Sequence, residues 1–131
     1  MGTFLITLLI IIAALFIFFL FSPSKSPEEV EKFYKEANSE KILNCPVVGL
    51  EYHSGKVKPG EFVEFNHDEH NQYDKNAVEV KTLRGKIVGY IPKKTNKKLL
   101  RTEGEVFGKV EAVYKNHTQV YIEVRRLLKN S

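Results

Sequence analysis

An unbroken apolar run at the N-terminus constrains this chain more than any other feature. Over residues 4–21 every side chain is apolar except Thr7, and no charged residue precedes Lys25. About 18 helical residues rise roughly 27 Å, close to the hydrocarbon thickness of a bilayer. The expectation is one transmembrane helix over residues 1–22. A cleaved signal peptide would need a positive start, a shorter apolar run and small residues before the cut. Met1, Gly2 and Thr3 carry no side-chain charge, and Phe18, Phe19, Leu20 and Phe21 stand where small residues belong. The uncleaved anchor fits better.

Orientation follows from basic residues, which prefer the cytoplasmic side of a span. Lys25, Lys32 and Lys35 follow the apolar run and nothing basic precedes it, which makes the chain a single-pass membrane protein with its C-terminal part in the cytoplasm. The single cysteine, Cys45, cannot form an internal disulfide and suits a reducing compartment, where it reads as a buried strand residue. With a cytoplasmic domain, the glycosylation match Asn116-His117-Thr118 is a chance one.

The remaining chain has room for one folded domain. Residues 22–26 are a polar linker. Ser26 is an N-cap, Pro27 suits the first helical position, and Glu29 completes a capping box. Val30, Phe33, Tyr34 and Ala37 then recur at helical spacing. That stripe either packs on the domain or lies on the membrane surface, and the acidic opposite face favours packing. The division is 1–22 transmembrane helix, 23–43 linker and amphipathic helix, and 44–128 a β domain.

From Cys45 onward, runs rich in Val, Ile, Tyr and Phe alternate with Gly, Pro and Asn. They predict strands over residues 45–52, 61–65, 77–82, 86–91, 105–114 and 118–125. Leu83-Arg84-Gly85 and Lys115-Asn116-His117 read as hairpin turns, and residues 93–101 as a short helix after Pro92. Six short strands in so few residues favour a small closed barrel, because closure removes exposed edges. The predicted fold is mostly β: a six-stranded SH3/OB-like barrel with short helices behind one membrane helix.

Three blocks in this order resemble the HIRAN domain family. The first is Val47-Val48-Gly49-Leu50 followed by Tyr52, a Gly-containing loop and the apolar Phe62-Val63-Glu64-Phe65. The second is Asn71-Gln72-Tyr73-Asp74-Lys75-Asn76-Ala77-Val78-Glu79-Val80, similar to a family block in which proline stands where this chain has Gln72. The third is Lys86-Ile87-Val88-Gly89-Tyr90-Ile91-Pro92-Lys93. The resemblance covers nearly the whole β domain and none of residues 1–26.

The resemblance implies a binding module that captures a free 3′ end of single-stranded DNA in a pocket on the barrel. By position, Tyr52 and His53 would form an aromatic wall, Tyr73 would stack on the terminal base, Asp74 would accept from the terminal hydroxyl, and Tyr90 would stand near a phosphate. The chain departs from the family at Glu51, where DNA-binding members carry a basic residue, and at the acidic His67-Asp68-Glu69-His70. A carboxylate facing a phosphate is repulsive. Apart from any family, Asp and Asn hold turns, so Asp74 and Asn76 serve either the loop or a ligand.

Between Arg84 and Arg101 stand seven cations and no anion, whereas residues 28–79 carry 12 acidic and six basic residues. Lys93, Lys94 and Lys97 in that block could contact nucleic-acid phosphates, face anionic lipid, or be a solvated helix face. A protein partner is a further reading for a membrane-bound barrel. The pair His67 and His70 lacks companion ligands for a metal, and no phosphate loop, nucleophile elbow or Cys-His pair is visible. The sequence therefore predicts a binding module without enzymatic activity, cofactor or metal.

Overall fold

The computed structural model describes residues 2–20 and 25–129, with the side chains of residues 4 and 14–20 set aside. Helix α1 (Gly2–Leu20) is continuous, and its polar Thr7 hydroxyl donates to the Thr3 carbonyl one turn back at 2.8 Å. Leu5, Ile6, Leu8, Leu9, Ile10, Ile11 and Ile12 are all exposed. Among the described residues no helix is long and apolar enough to cross a membrane, so the anchor expected over residues 1–22 rests on the sequence alone. Residues 21–24, including most of the expected linker, lie outside the described residues.

Helix α2 (Pro27–Glu36) starts as its capping pattern predicts. The Glu29 amide donates to the Ser26 hydroxyl at 3.3 Å, with Pro27 in the first turn. Part of its apolar stripe packs on the domain: Tyr34 is buried and stacks on Phe107 at 4.3 Å between centroids, with Phe62 tilted against it, whereas Phe33 stays exposed. Val30, Leu83 and Leu127 close this small outer cluster.

The strands are β1 (Ser39–Val47), β2 (Phe62–His67), β3 (Val78–Thr82), β4 (Ile87–Tyr90), β5 (Val106–Tyr114) and β6 (Gln119–Leu127). They form a six-stranded sheet in the order β1-β6-β5-β2-β3-β4, with every pairing antiparallel. Strand alternation divides the side chains between two faces. Val47, Val63, Val80, Val88, Val110, Val120, Ile122 and Val124 belong to the inner core, whereas Phe62 and Phe107 point to the outer cluster under α2. Cys45 is a buried member of the inner core, and burial pushes its thiol up to about 11. It is an inert small hydrophobe.

The first strand differs from its sequence reading. It begins at Ser39, not Cys45, and ends at Val47, with Leu50–Tyr52 forming a single 3-10 turn. Polar residues hide the early start: Arg125 donates to the Ser39 hydroxyl at 2.7 Å and to its carbonyl at 2.9 Å, and Arg126 pairs with Glu40. The early stop is conformational, because Gly49 adopts a left-handed φ of 73° that ends the extended run.

Edges β1 and β4 meet at one bridge. The Val48 amide donates to the Tyr90 carbonyl at 2.9 Å, and the Tyr90 amide donates to the Val48 carbonyl at 2.8 Å. A Cβ on Gly89 would lie 2.3 Å from the Val48 carbonyl oxygen and 2.8 Å from a Val47 methyl. Only glycine allows the edges this close, so Gly89 is the residue that lets the sheet close into a barrel.

Candidate nucleic-acid interface

The seam between β1 and β4 gathers two of the sequence blocks around Tyr90. Buried Leu50 fixes the 3-10 turn, leaving Tyr52 79 % exposed beside it. The His53 ring lies 5.3 Å from the Tyr90 ring at 59°, the tilted geometry aromatic pairs favour. Beyond the turn, the Gly55 amide donates to the Ile87 carbonyl at 2.9 Å, which laces the outgoing chain to β4. Tyr52, His53 and Tyr90 are thus brought to one end of the seam.

The second block forms a loop held from within. The Asn71 carboxamide oxygen accepts from the Tyr73 amide at 2.9 Å and the Asp74 amide at 3.0 Å, while its nitrogen donates to Asp68 at 3.3 Å. One Asp74 oxygen accepts from the Asn76 amide and the other from the Asn96 carboxamide, each at 2.9 Å. Of the two roles open to Asp74 and Asn76, holding the turn is observed, and Asn76 contributes its main-chain N–H. Each Asp74 oxygen has a further lone pair, so this role leaves room for a ligand hydroxyl. Above the fixed backbone the Tyr73 ring stands 91 % exposed.

Through Asp74 and Asn96 the Tyr73 loop is tied to helix α3 (Lys93–Arg101), which begins just after Tyr90. Asn96 and Leu99 form its buried side, and Lys93, Lys94, Lys97, Lys98 and Arg101 are all exposed. No ion pair engages these five cations among the described residues. Lys93 and Lys94 occupy the first turn and no side chain caps it, although cations at a helix N-terminus cost about 0.3–1 kcal/mol each. Stability alone would not place lysines there.

Electrostatics divides the site into two sides. Burial, then the Glu79 and Asp68 carboxylates, push the Tyr90 hydroxyl above its ordinary value, so it stays a neutral donor and acceptor. Those carboxylates disfavour a phosphate at Tyr90 itself, whereas α3 offers exposed cations that could receive one. His67 and Glu69 approach to 3.9 Å, but no group of three or more potential ligands is placed to hold a metal ion among the described residues.

Sequence reasoning missed Asn96, the buried polar residue that couples the Tyr73 loop to α3. Its signal was helical phase: Asn96 stands three residues before Leu99, on the one uncharged face of a lysine-rich helix. The importance of Asn71 as the acceptor for two successive amides also needed the folded loop to be visible.

Comparison with known proteins places the chain among relatives. The model of the HIRAN domain matches residues 41–128. Helicase-like transcription factors from human and rabbit are 43% identical over 51 residues, covering 39% of this chain and 5% of theirs. The mouse protein is 37% identical over 68 residues, covering 46% of this chain and 7% of its own. This chain therefore spans only a small fraction of those curated relatives. Among solved structures, the HIRAN domain of human HLTF superposes with a TM-score of 0.57 at 28% identity, covering 66% of this chain and 77% of that one. A structural-genomics protein from Lactobacillus plantarum shares the fold, with a TM-score of 0.63 at 24% identity over 70% of this chain and 98% of that one.

Proposed function

The chain belongs to the HIRAN domain family, and from that membership we propose that it is a membrane-tethered module that captures a free 3′ end of single-stranded DNA. The observation that carries this reading is Tyr73, an aromatic ring 91 % exposed on a loop whose backbone is fixed by Asn71 and Asp74. With its backbone already fixed, the loop needs no ordering when a base stacks on the ring, and such stacking contributes about 1–3 kcal/mol.

In this reading Tyr73 receives the terminal base, Tyr52 and His53 form the neighbouring aromatic wall, and Asp74 accepts from the terminal hydroxyl. Tyr90 contacts sugar or base edges from a neutral hydroxyl, because its carboxylate neighbours disfavour phosphate. Lys93, Lys94 and Lys97 take the phosphates. The apolar N-terminal segment over residues 1–22 would hold the module at the membrane with the β domain on the cytoplasmic side, a reading supported by the charge-free sequence before Lys25. The module works by binding, without catalysis of its own.

Linear and circular single strands of equal length distinguish end capture from general affinity. The full chain in neutral detergent should prefer the linear form, and log affinity should fall with log salt at a slope of about −2 if three lysines meet phosphates. Equal binding of both forms would remove end capture.

A second reading keeps the same barrel as an adaptor for a protein partner or anionic lipid. The exposed cations of α3, unpaired among the described residues, favour its lipid version, at about 1 kcal/mol per basic residue near an anionic leaflet. Co-sedimentation with anionic vesicles, lost when Lys93, Lys94, Lys97 and Lys98 are neutralised, would support it over DNA capture.

A further inference from the structure

A second aromatic cluster lies on the outer face of the barrel, built mainly on β5 and β6 with the outward-facing residues of β1. Pro46 stands opposite Tyr121, and Gln119 stands opposite Tyr114. The rings of Tyr114 and Tyr121 meet edge to face at 6.1 Å and 65°, and are 54 % and 38 % exposed. With Asn44 and Glu111 these residues line a shallow groove of about 580 Å³. Helix α2 covers the outer face only at its other end, over Phe62, Phe107 and Leu127.

The lining is selective in charge. An irregularity in the register between Val110 and Ala112 accompanies an exposed Glu111, and among the described residues that line the groove Glu111 is the one that is charged, with no lysine or arginine among them. A phosphodiester chain laid here would meet a carboxylate and no cation, the reverse of what nucleic acid requires. An extended peptide meets the opposite conditions. A polyproline II segment offers flat pyrrolidine rings to an aromatic ridge and bare carbonyls that need donors. The phenols of Tyr114 and Tyr121 and the carboxamides of Asn44 and Gln119 are such donors. A basic side chain flanking the prolines would pair with Glu111.

We propose that this groove docks a proline-rich peptide in the polyproline II conformation, with a flanking arginine or lysine on Glu111. The inference goes beyond DNA capture and does not depend on it, since the two sites share none of the residues assigned to them. It assigns the module a protein-facing surface on β1, β5 and β6, separate from the seam.

The test uses the full chain in neutral-lipid nanodiscs and labelled decapeptides with a P-x-x-P core, flanked by arginine, glutamine or glutamate. Arginine peptides should bind tightest, by about tenfold over glutamate peptides. Glu111→Gln should erase that preference, Glu111→Lys should reverse it, and Tyr121→Ala should weaken every proline-containing peptide by about tenfold. Tyr73→Ala should change none of this. The two Glu111 variants are exposed and keep the test informative if Tyr121→Ala unfolds. Peptides that bind no better than a proline-free scramble would overturn the proposal, as would an arginine preference that survives Glu111→Gln. Loss of oligonucleotide binding in Tyr121→Ala with peptides indifferent would assign the groove to nucleic acid instead.

Discussion

Two tyrosines outside the barrel core meet opposite fates. Tyr34 is 8 % exposed, stacked on Phe107 and leaning on Phe62, where α2 closes one end of the outer sheet face. Tyr73 is 91 % exposed above a loop whose polar groups satisfy one another beneath it. Apolar burial holds the ring of the first, whereas hydrogen bonds fix only the backbone of the second and never touch its ring. Burial of a large ring favours folding, whereas a ring kept in water contributes nothing to the fold and keeps its stacking energy for a ligand. The difference separates residues that stabilise the domain from residues available to bind.

Substitutions should break the two regions in different observables. The largest effect is expected at the closed end: Tyr34→Ala should destabilise the domain by about 3–5 kcal/mol in denaturant unfolding, with oligonucleotide affinity unchanged while the domain stays folded. Asp74→Ala bridges the two behaviours. It strands the buried Asn96 amide and frees the Asn76 amide, so it should cost about 2–3 kcal/mol of stability and weaken binding as well. An Asp74→Ala variant with full stability would show that the loop is held by other contacts.

At the open end the pattern inverts. Tyr73→Ala should leave stability within about 0.5 kcal/mol yet weaken a single-stranded end by about 1–3 kcal/mol, a loss of roughly 5- to 150-fold. If unfolding midpoints fall as far as for Tyr34→Ala, the contrast drawn here is wrong.

The smallest effect concerns pH and lies away from both ends. His117 accepts from the Val57 amide at 3.1 Å within a turn where Lys115, Asn116 and His117 all adopt positive φ. Burial, then the nearby Lys56 charge, lower its ionisation below the ordinary 6.5. As pH falls, the unfolded chain takes the proton first. Stability is thus complete above about pH 6.5 and declines on acidification, until the folded imidazole is protonated too. His117→Ala should flatten this part of the thermal-stability profile, and an unchanged slope would remove the histidine from the account.

Much of the fold was legible because each element carries its own local signal. Ser26, Pro27 and Glu29 mark a helix start, the alternation of Val120, Ile122 and Val124 marks a strand, and Gly85 marks a turn with its φ of 90°. The start of β1 was hidden because Ser39, Glu40 and Lys41 look like solvent-facing polar residues until β6 supplies Arg125 and Arg126 across the ladder. Closure into a barrel was expected, but the place where it happens was not legible, since Gly89 matters only when Val47 and Val48 arrive from a distant strand. In the site, Tyr73 and Asp74 could be singled out by pattern. Asn96 could not, because its role comes from a partner 22 residues away. The groove at Tyr114 and Tyr121 also needed the cross-strand register, which sequence spacing does not give.

The most direct test of the account compares two oligonucleotides that differ only at the 3′ terminus, one ending in a hydroxyl and one in a phosphate, by anisotropy titration of the full chain and its Tyr73→Ala variant. The account predicts tighter binding of the hydroxyl end, because Asp74 can accept from it and repels the phosphate, and loss of most affinity for both in the variant. Equal affinity for the two termini, or a Tyr73→Ala variant that binds as well as the parent, would contradict it.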